Sequence, residues 1–171
     1  MSVLSAVLDA VRTGAVEIID LTTPLQASTP ILRLPEPFGN TRTFQLEEIS
    51  RYDDRGPAWY WNDIHTGEHT GTHVDAPVHW VTGKDGPDVS QAPMRTLVAP
   101  AAVIDKTTEA AADPDFLLEV EHVTAWQAEH GPLPDGGWLL FRTGWSARGE
   151  DEASFLNADK NGPHTPGVSA D

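Results

Sequence analysis

The sequence contains no cysteine. That absence excludes a disulfide framework and removes thiolate from the ligands open to a structural zinc, so any transition metal must sit on histidine and carboxylate. Basic residues are scarce: 11 Lys and Arg stand against 26 Asp and Glu, a formal charge of −15. Phosphate backbones and anionic lipid heads need a basic surface, so nucleic acid and membrane are argued against as partners. A solvated surface accounts for the acidity. No apolar run approaches the roughly 18 residues that a spanning helix needs. The first dozen residues lack an early basic region and carry Asp9, which does not fit a secretory signal. The location expected is therefore cytoplasmic. A Gly-x-Ser-x-Gly elbow is missing too, which argues against a serine hydrolase of the α/β type. With no internal repeat, linker or low-complexity block, the 171 residues read as one domain, long enough for a core.

What is there is concentrated in residues 69–79, His-Thr-Gly-Thr-His-Val-Asp-Ala-Pro-Val-His. Three histidines and one carboxylate in a single short segment are the nitrogen and oxygen donors of a borderline transition metal. The chain has seven histidines, so some clustering is expected by chance, but four such groups in one turn-rich segment are harder to dismiss. A helix is disfavoured, because Gly71 interrupts it, Thr70, Thr72 and Val74 are poor helix formers, and Pro77 blocks propagation. In an extended segment, residues two apart point to one side, which aims His73 and Asp75 at a common point. His69 can swing in from a turn at Gly71. His79, beyond the proline, is placed beside such an ion, where an imidazole can move protons. His65 and Glu68 lie just upstream, His65 as an outer or surface group and Glu68 as a potential orienting partner.

Around this segment the elements follow from spacing. Leu4, Val7, Leu8 and Val11 recur at helical intervals up to Gly14, predicting a short amphipathic helix. Residues 16–21 form a β-branched run and are expected to be the first strand. A proline-rich loop follows at 30–39, carrying Leu32. Residues 41–49 and 58–64 alternate as strands, and the second leads into the histidine segment. Residues 82–93 are loop. Strands are expected at 101–105 and, buried, at 138–142, with a helix at 121–130 stopped by Gly131 and Pro132. Three tryptophans flank the histidines, Trp59, Trp61 and Trp80. Leu32, Trp61 and Trp80 are the candidate substrate contacts, set against an equal expectation that the tryptophans only fill the core. The fold class expected is a single mixed α/β domain, with a curved or barrel-like sheet and a few peripheral helices.

The pattern His-x-Gly-Thr-His-x-Asp-x-Pro-x-His resembles the signature of the cyclase family of metal-dependent hydrolases, which includes bacterial kynurenine formamidases and isatin hydrolases. Ile19-Asp20-Leu21-Thr22 with Pro24-Leu25, Val103-Ile104-Asp105, Leu140-Phe141-Arg142-Thr143-Gly144-Trp145 and His164-Thr165-Pro166-Gly167-Val168 resemble further family landmarks. The resemblance implies that His69, His73 and Asp75 bind zinc or manganese, one ion or two bridged by the carboxylate, and that His79 serves as acid and base. It implies hydrolysis of an amide or cyclic amide C–N bond in a small-molecule substrate. Relatives acting on formylkynurenine carry a tryptophan in the loop matching 30–39, and this chain has none there. The family's remaining ligands, a histidine and a glutamate, lie well beyond the segment matching His164. The expectation is therefore a cyclase-family domain over 1–171 that lacks its C-terminal part, exposes apolar surface and self-associates as a homo-oligomer. The alternative is a family member or inactive fragment that binds metal without turnover.

Overall fold

The computed structural model describes residues 2–170. Helix α1, Val3–Thr13, starts where the Ser2 hydroxyl accepts the Ser5 amide and stops at Gly14, whose φ of 74° is the left-handed conformation of a C-terminal cap. The helical spacing of its apolar residues is thus realised. None of its residues is buried, and Val3, Leu4, Val7 and Leu8 face outward.

Strands β1, Gln45–Asp53, and β2, Gly56–His65, form an antiparallel hairpin. Its tight turn is held by Arg55, which bonds Asp53 and reaches the Glu48 carboxylate at 2.6 Å. Register shifts between Glu48 and Ser50 and between Arg51 and Asp53 strengthen the twist of the ribbon. Ser50 is fully buried at its centre. Strands β3, Ala101–Asp105, and β5, Trp138–Arg142, pair in parallel, residue against residue, and Arg142 closes the pair on Asp105 at 2.7 Å. Helix α2, Thr107–Ala112, follows β3 and buries Ala110. Helix α3, Val120–His130, is the connection that a parallel pair requires, and its Trp126 indole donates to the Val103 carbonyl at 3.0 Å. The short strands β4, Leu117–Leu118, and β6, Gly167–Val168, make a second parallel pair, and helix α4, Glu152–Leu156, precedes β6. The buried apolar side chains are few: Ile31, Phe44, Ala102, Ile104, Ala110 and Leu118.

Mixed helix and strand content agrees with the expected class. The described strands make three small two-stranded ribbons, none of them closed, and the curved or barrel-like sheet stays an expectation. Residues 16–21 are not a strand. They run without a ladder partner, and Ile18 and Leu21 are 78% and 82% exposed, because an apolar run becomes a strand only where another backbone offers it hydrogen bonds. The strand expected from residue 41 begins at Gln45, where pairing with His65 begins. Strand β5 is found at its expected residues but is not buried. Leu139 and Leu140 are 38% and 42% exposed, since one partner strand covers one edge and little of either face.

Candidate metal centre and its cavity

The histidine segment has no α-helix. It leaves β2, turns at Gly71 with φ of 65°, runs extended, and enters a single 3-10 turn at Pro77–His79. Gly71 is fixed twice over, by its left-handed backbone and by Leu25, whose methyl would lie 2.6 Å from an added Cβ. The segment is tied to the chain upstream by the Thr23 amide, which donates to the Thr72 hydroxyl at 3.0 Å. Downstream, Gly83 packs against the carbonyl of Pro77 so closely that no side chain fits between them.

His69, Asp75 and His79 converge, and His73 reaches Asp75 from outside that group. His69 Nδ1 lies 2.7 Å from Asp75 Oδ1, and His73 Nε2 lies 3.4 Å from the same oxygen. The rings of His69 and His79 are in tilted contact, with centroids 3.9 Å apart. One donor atom from each of His69, Asp75 and His79 falls within 4.8 Å of the other two. His73 Nδ1 faces the Gly71 carbonyl at 2.8 Å. A carbonyl only accepts, so Nδ1 carries the proton and, in the neutral ring, Nε2 turns its lone pair toward Asp75. Two acceptors facing each other at that distance favour a cation between them. Donors on a tetrahedral zinc lie about 3.3–3.6 Å apart, given bonds of roughly 2.0–2.2 Å. The His73–Asp75 separation fits that spacing. The His69–Asp75 pair lies closer, at 2.7 Å, and must open by under an ångström for both to bind one ion. Histidine nitrogen and carboxylate oxygen suit zinc and manganese alike.

These groups line one wall of a cavity of about 620 Å³, within the range of small-molecule sites. Its other walls are apolar, from Pro30, Leu32, Leu34, Trp80 and Phe155, with Thr23, Thr29, Asn40 and Ser146 as polar punctuation. The His79 ring meets Trp80 edge to face at 4.7 Å.

The model of the Cyclase family matches residues 19–171. The chain belongs to the cyclase family. Within that family it is 48% identical, over 173 aligned residues, to the isatin hydrolase of Roseibium aggregatum, covering 99% of this chain and 66% of the relative. Among solved structures, an isatin hydrolase bound to the product analogue thioisatinate superposes with a TM-score of 0.94 at 47% identity, over 99% of this chain and 67% of that one. Isatin hydrolase A from Ralstonia solanacearum gives 0.93 at 46%, over 99% of this chain and 65% of its own. Isatin hydrolase A from Labrenzia aggregata, bound to benzyl benzoate, gives 0.93 at 45%, over 98% and 66%. The chain thus spans about two thirds of the length of these cyclase-family relatives.

Of the residues singled out in the sequence, His69, His73, Asp75 and His79 share this cavity, and Leu32 and Trp80 line it. Trp61 does not. It sits on β2 opposite Ser50, half exposed. His65 is held by Glu47 across the hairpin at 2.9 Å, and Glu68 is exposed. Thr23, Thr29, Leu34, Asn40, Ser146, Gly149 and Phe155 were not legible, because they come from distant loops and α4 with no pattern linking them to the histidines. Past the end of β5, Thr143 and Trp145 line a smaller apolar cavity of about 280 Å³ that shares Leu32 and Phe155 with the first.

Proposed function

We propose that this chain hydrolyses the C–N bond of a small aromatic amide or cyclic amide with the help of zinc or manganese, in the manner of an isatin hydrolase. The observation that carries the proposal is the convergence of three histidines and one aspartate on one wall of a cavity whose remaining walls are mostly apolar. The names of its relatives favour a lactam as substrate, and both ligands named with them are aromatic.

In this proposal His69, His73 and Asp75 would hold one or two ions. A bound divalent ion supplies acidity to a water and polarises the carbonyl that the water attacks. His79 takes the water's proton and returns it to the leaving nitrogen as the C–N bond breaks, giving an amine and a carboxylate. Its tilted contact with the His69 ring places it beside the donors. Trp80, Leu32 and Leu34 exclude water from the aromatic part of the substrate. The proposal extends to a cytoplasmic location, consistent with the absence of any helix long and apolar enough to cross a membrane among the described residues. It extends also to a homo-oligomer, in which a second copy would cover the exposed strand faces and could extend the ribbons into a larger curved sheet. The test is hydrolysis of a panel of aryl formamides and isatin-like lactams with and without chelator. Metal-dependent opening of a lactam supports the proposal, and no turnover of any member in the metal-loaded protein would overturn it.

A further inference from the structure

The loop at 30–40 carries the apolar wall of the cavity, yet it has no strand or helix to hold it. Two contacts do so instead. The Asn40 carboxamide makes both hydrogen bonds of the Leu34 backbone: its Oδ1 accepts the Leu34 amide at 2.7 Å and its Nδ2 donates to the Leu34 carbonyl at 2.9 Å. A single side chain thus replaces a strand partner. Next in the chain, Arg33 points away from the cavity and grips Glu152 of α4 through two bonds, Nε to Oε1 at 3.2 Å and Nη2 to Oε2 at 3.4 Å. Helix α4 also supplies Phe155 to the cavity. The arginine pair is exposed and contributes little alone. Asn40 has the stricter chemistry. Aspartate at that position would accept but not donate, and would set its charge against the Leu34 carbonyl.

We infer that Asn40 is a positioning residue that fixes Leu32 and Leu34 against Phe155 and so sets how tightly the site grips the aromatic part of its substrate. The inference rests on the proposed hydrolysis for the nature of that substrate. It assigns Asn40 no part in holding an ion or moving a proton. Loss of the clamp should therefore weaken substrate capture and leave metal binding untouched.

The experiment measures isatin hydrolysis and bound metal for the wild-type chain, Asn40→Ala and Asn40→Asp, with amide hydrogen exchange over residues 30–40. Two lost hydrogen bonds predict a KM raised about 10-fold in Asn40→Ala with kcat within about 2-fold, full metal stoichiometry and faster exchange in the loop. Asn40→Asp, which keeps the acceptor but sets a carboxylate oxygen against the Leu34 carbonyl, should raise KM as well. A wild-type KM in Asn40→Ala, or a loss of kcat or metal at constant KM, would overturn the clamp alone. Failure of the wild-type chain to open isatin would overturn the proposed reaction, a result distinct from either.

Discussion

In the proposed reaction His73 would hold the ion and His79 would move the proton, and single substitutions separate these shares. His73→Ala removes a donor whose other nitrogen is already engaged by Gly71, so most of the bound metal should be lost on elemental analysis. His79→Ala should retain the metal and lower kcat about 100-fold or more, the usual worth of a placed acid or base. Loss of metal from the second variant would make His79 a ligand, a role its closeness to His69 and Asp75 also permits. Gly71→Ala tests the turn that brings His69 round. At φ of 65° an alanine is strained by roughly 1–2 kcal/mol, so the turn should relax and metal affinity should fall in a titration, while overall melting shifts little. These four residues and the turn were legible in the sequence because they sit within one segment whose spacing alone dictates convergence. The opposite wall was not, since Asn40 and Phe155 reach the cavity through packing that leaves no mark on neighbouring residues.

At the scale of elements, β3 and β5 were legible to the residue, because a short apolar run of strand length bounded by turn residues favours an extended conformation. Residues 16–21 carry the same signal without being a strand, because pairing depends on what lies alongside. The segment that carries β6 back beside β4 was not foreseen either, and it depends on His164. Its Nδ1 faces Asp115 at 2.9 Å and its Nε2 faces Asp159 at 3.1 Å, so both nitrogens must carry protons to satisfy both carboxylates. Asp115 first, and then Asp159, raise the imidazole above its ordinary value of 6.5. The carboxyl of Asp159 is held below its ordinary value of 3.8, chiefly by the Asn161 amide and then by His164. The histidine's contribution is full below 6.5 and is lost as pH rises through its raised value. The aspartate's contribution is present above 3.8 and is lost as pH falls through its depressed value. Amide exchange over residues 157–168 should therefore be slowest in mildly acid solution and faster at alkaline pH, after correction for the intrinsic rate. In His164→Ala that pH dependence should disappear.

For the whole molecule, surface area is the informative quantity. A compact monomer of 18.5 kDa should expose about 8,200 Å², and this chain exposes 13128 Å². The excess, about 4,900 Å² on one chain, is larger than the roughly 1,000–2,500 Å² per partner of an obligate interface, and much of it is apolar: the outer face of α1, residues 16–21, and both faces of the β1–β2 hairpin. A two-stranded hairpin is marginal alone, so its Trp59, Trp61 and Ile64 need cover. Light scattering on the purified chain should give at least twice 18.5 kDa at micromolar concentration, and a stable monomer would contradict self-association as the cover. Composition had announced an acidic single-domain chain, but it could not show how little of that chain's apolar surface is buried against itself.

In the proposed reaction an ion held by the histidines and Asp75 is the agent of hydrolysis. The decisive measurement returns zinc or manganese stepwise to chelated protein, while bound metal and the rate of isatin opening are followed on the same samples. The rate should rise in proportion to bound metal and saturate with it at one or two ions per chain. Turnover that survives complete removal of metal, or full occupancy without turnover, would contradict it.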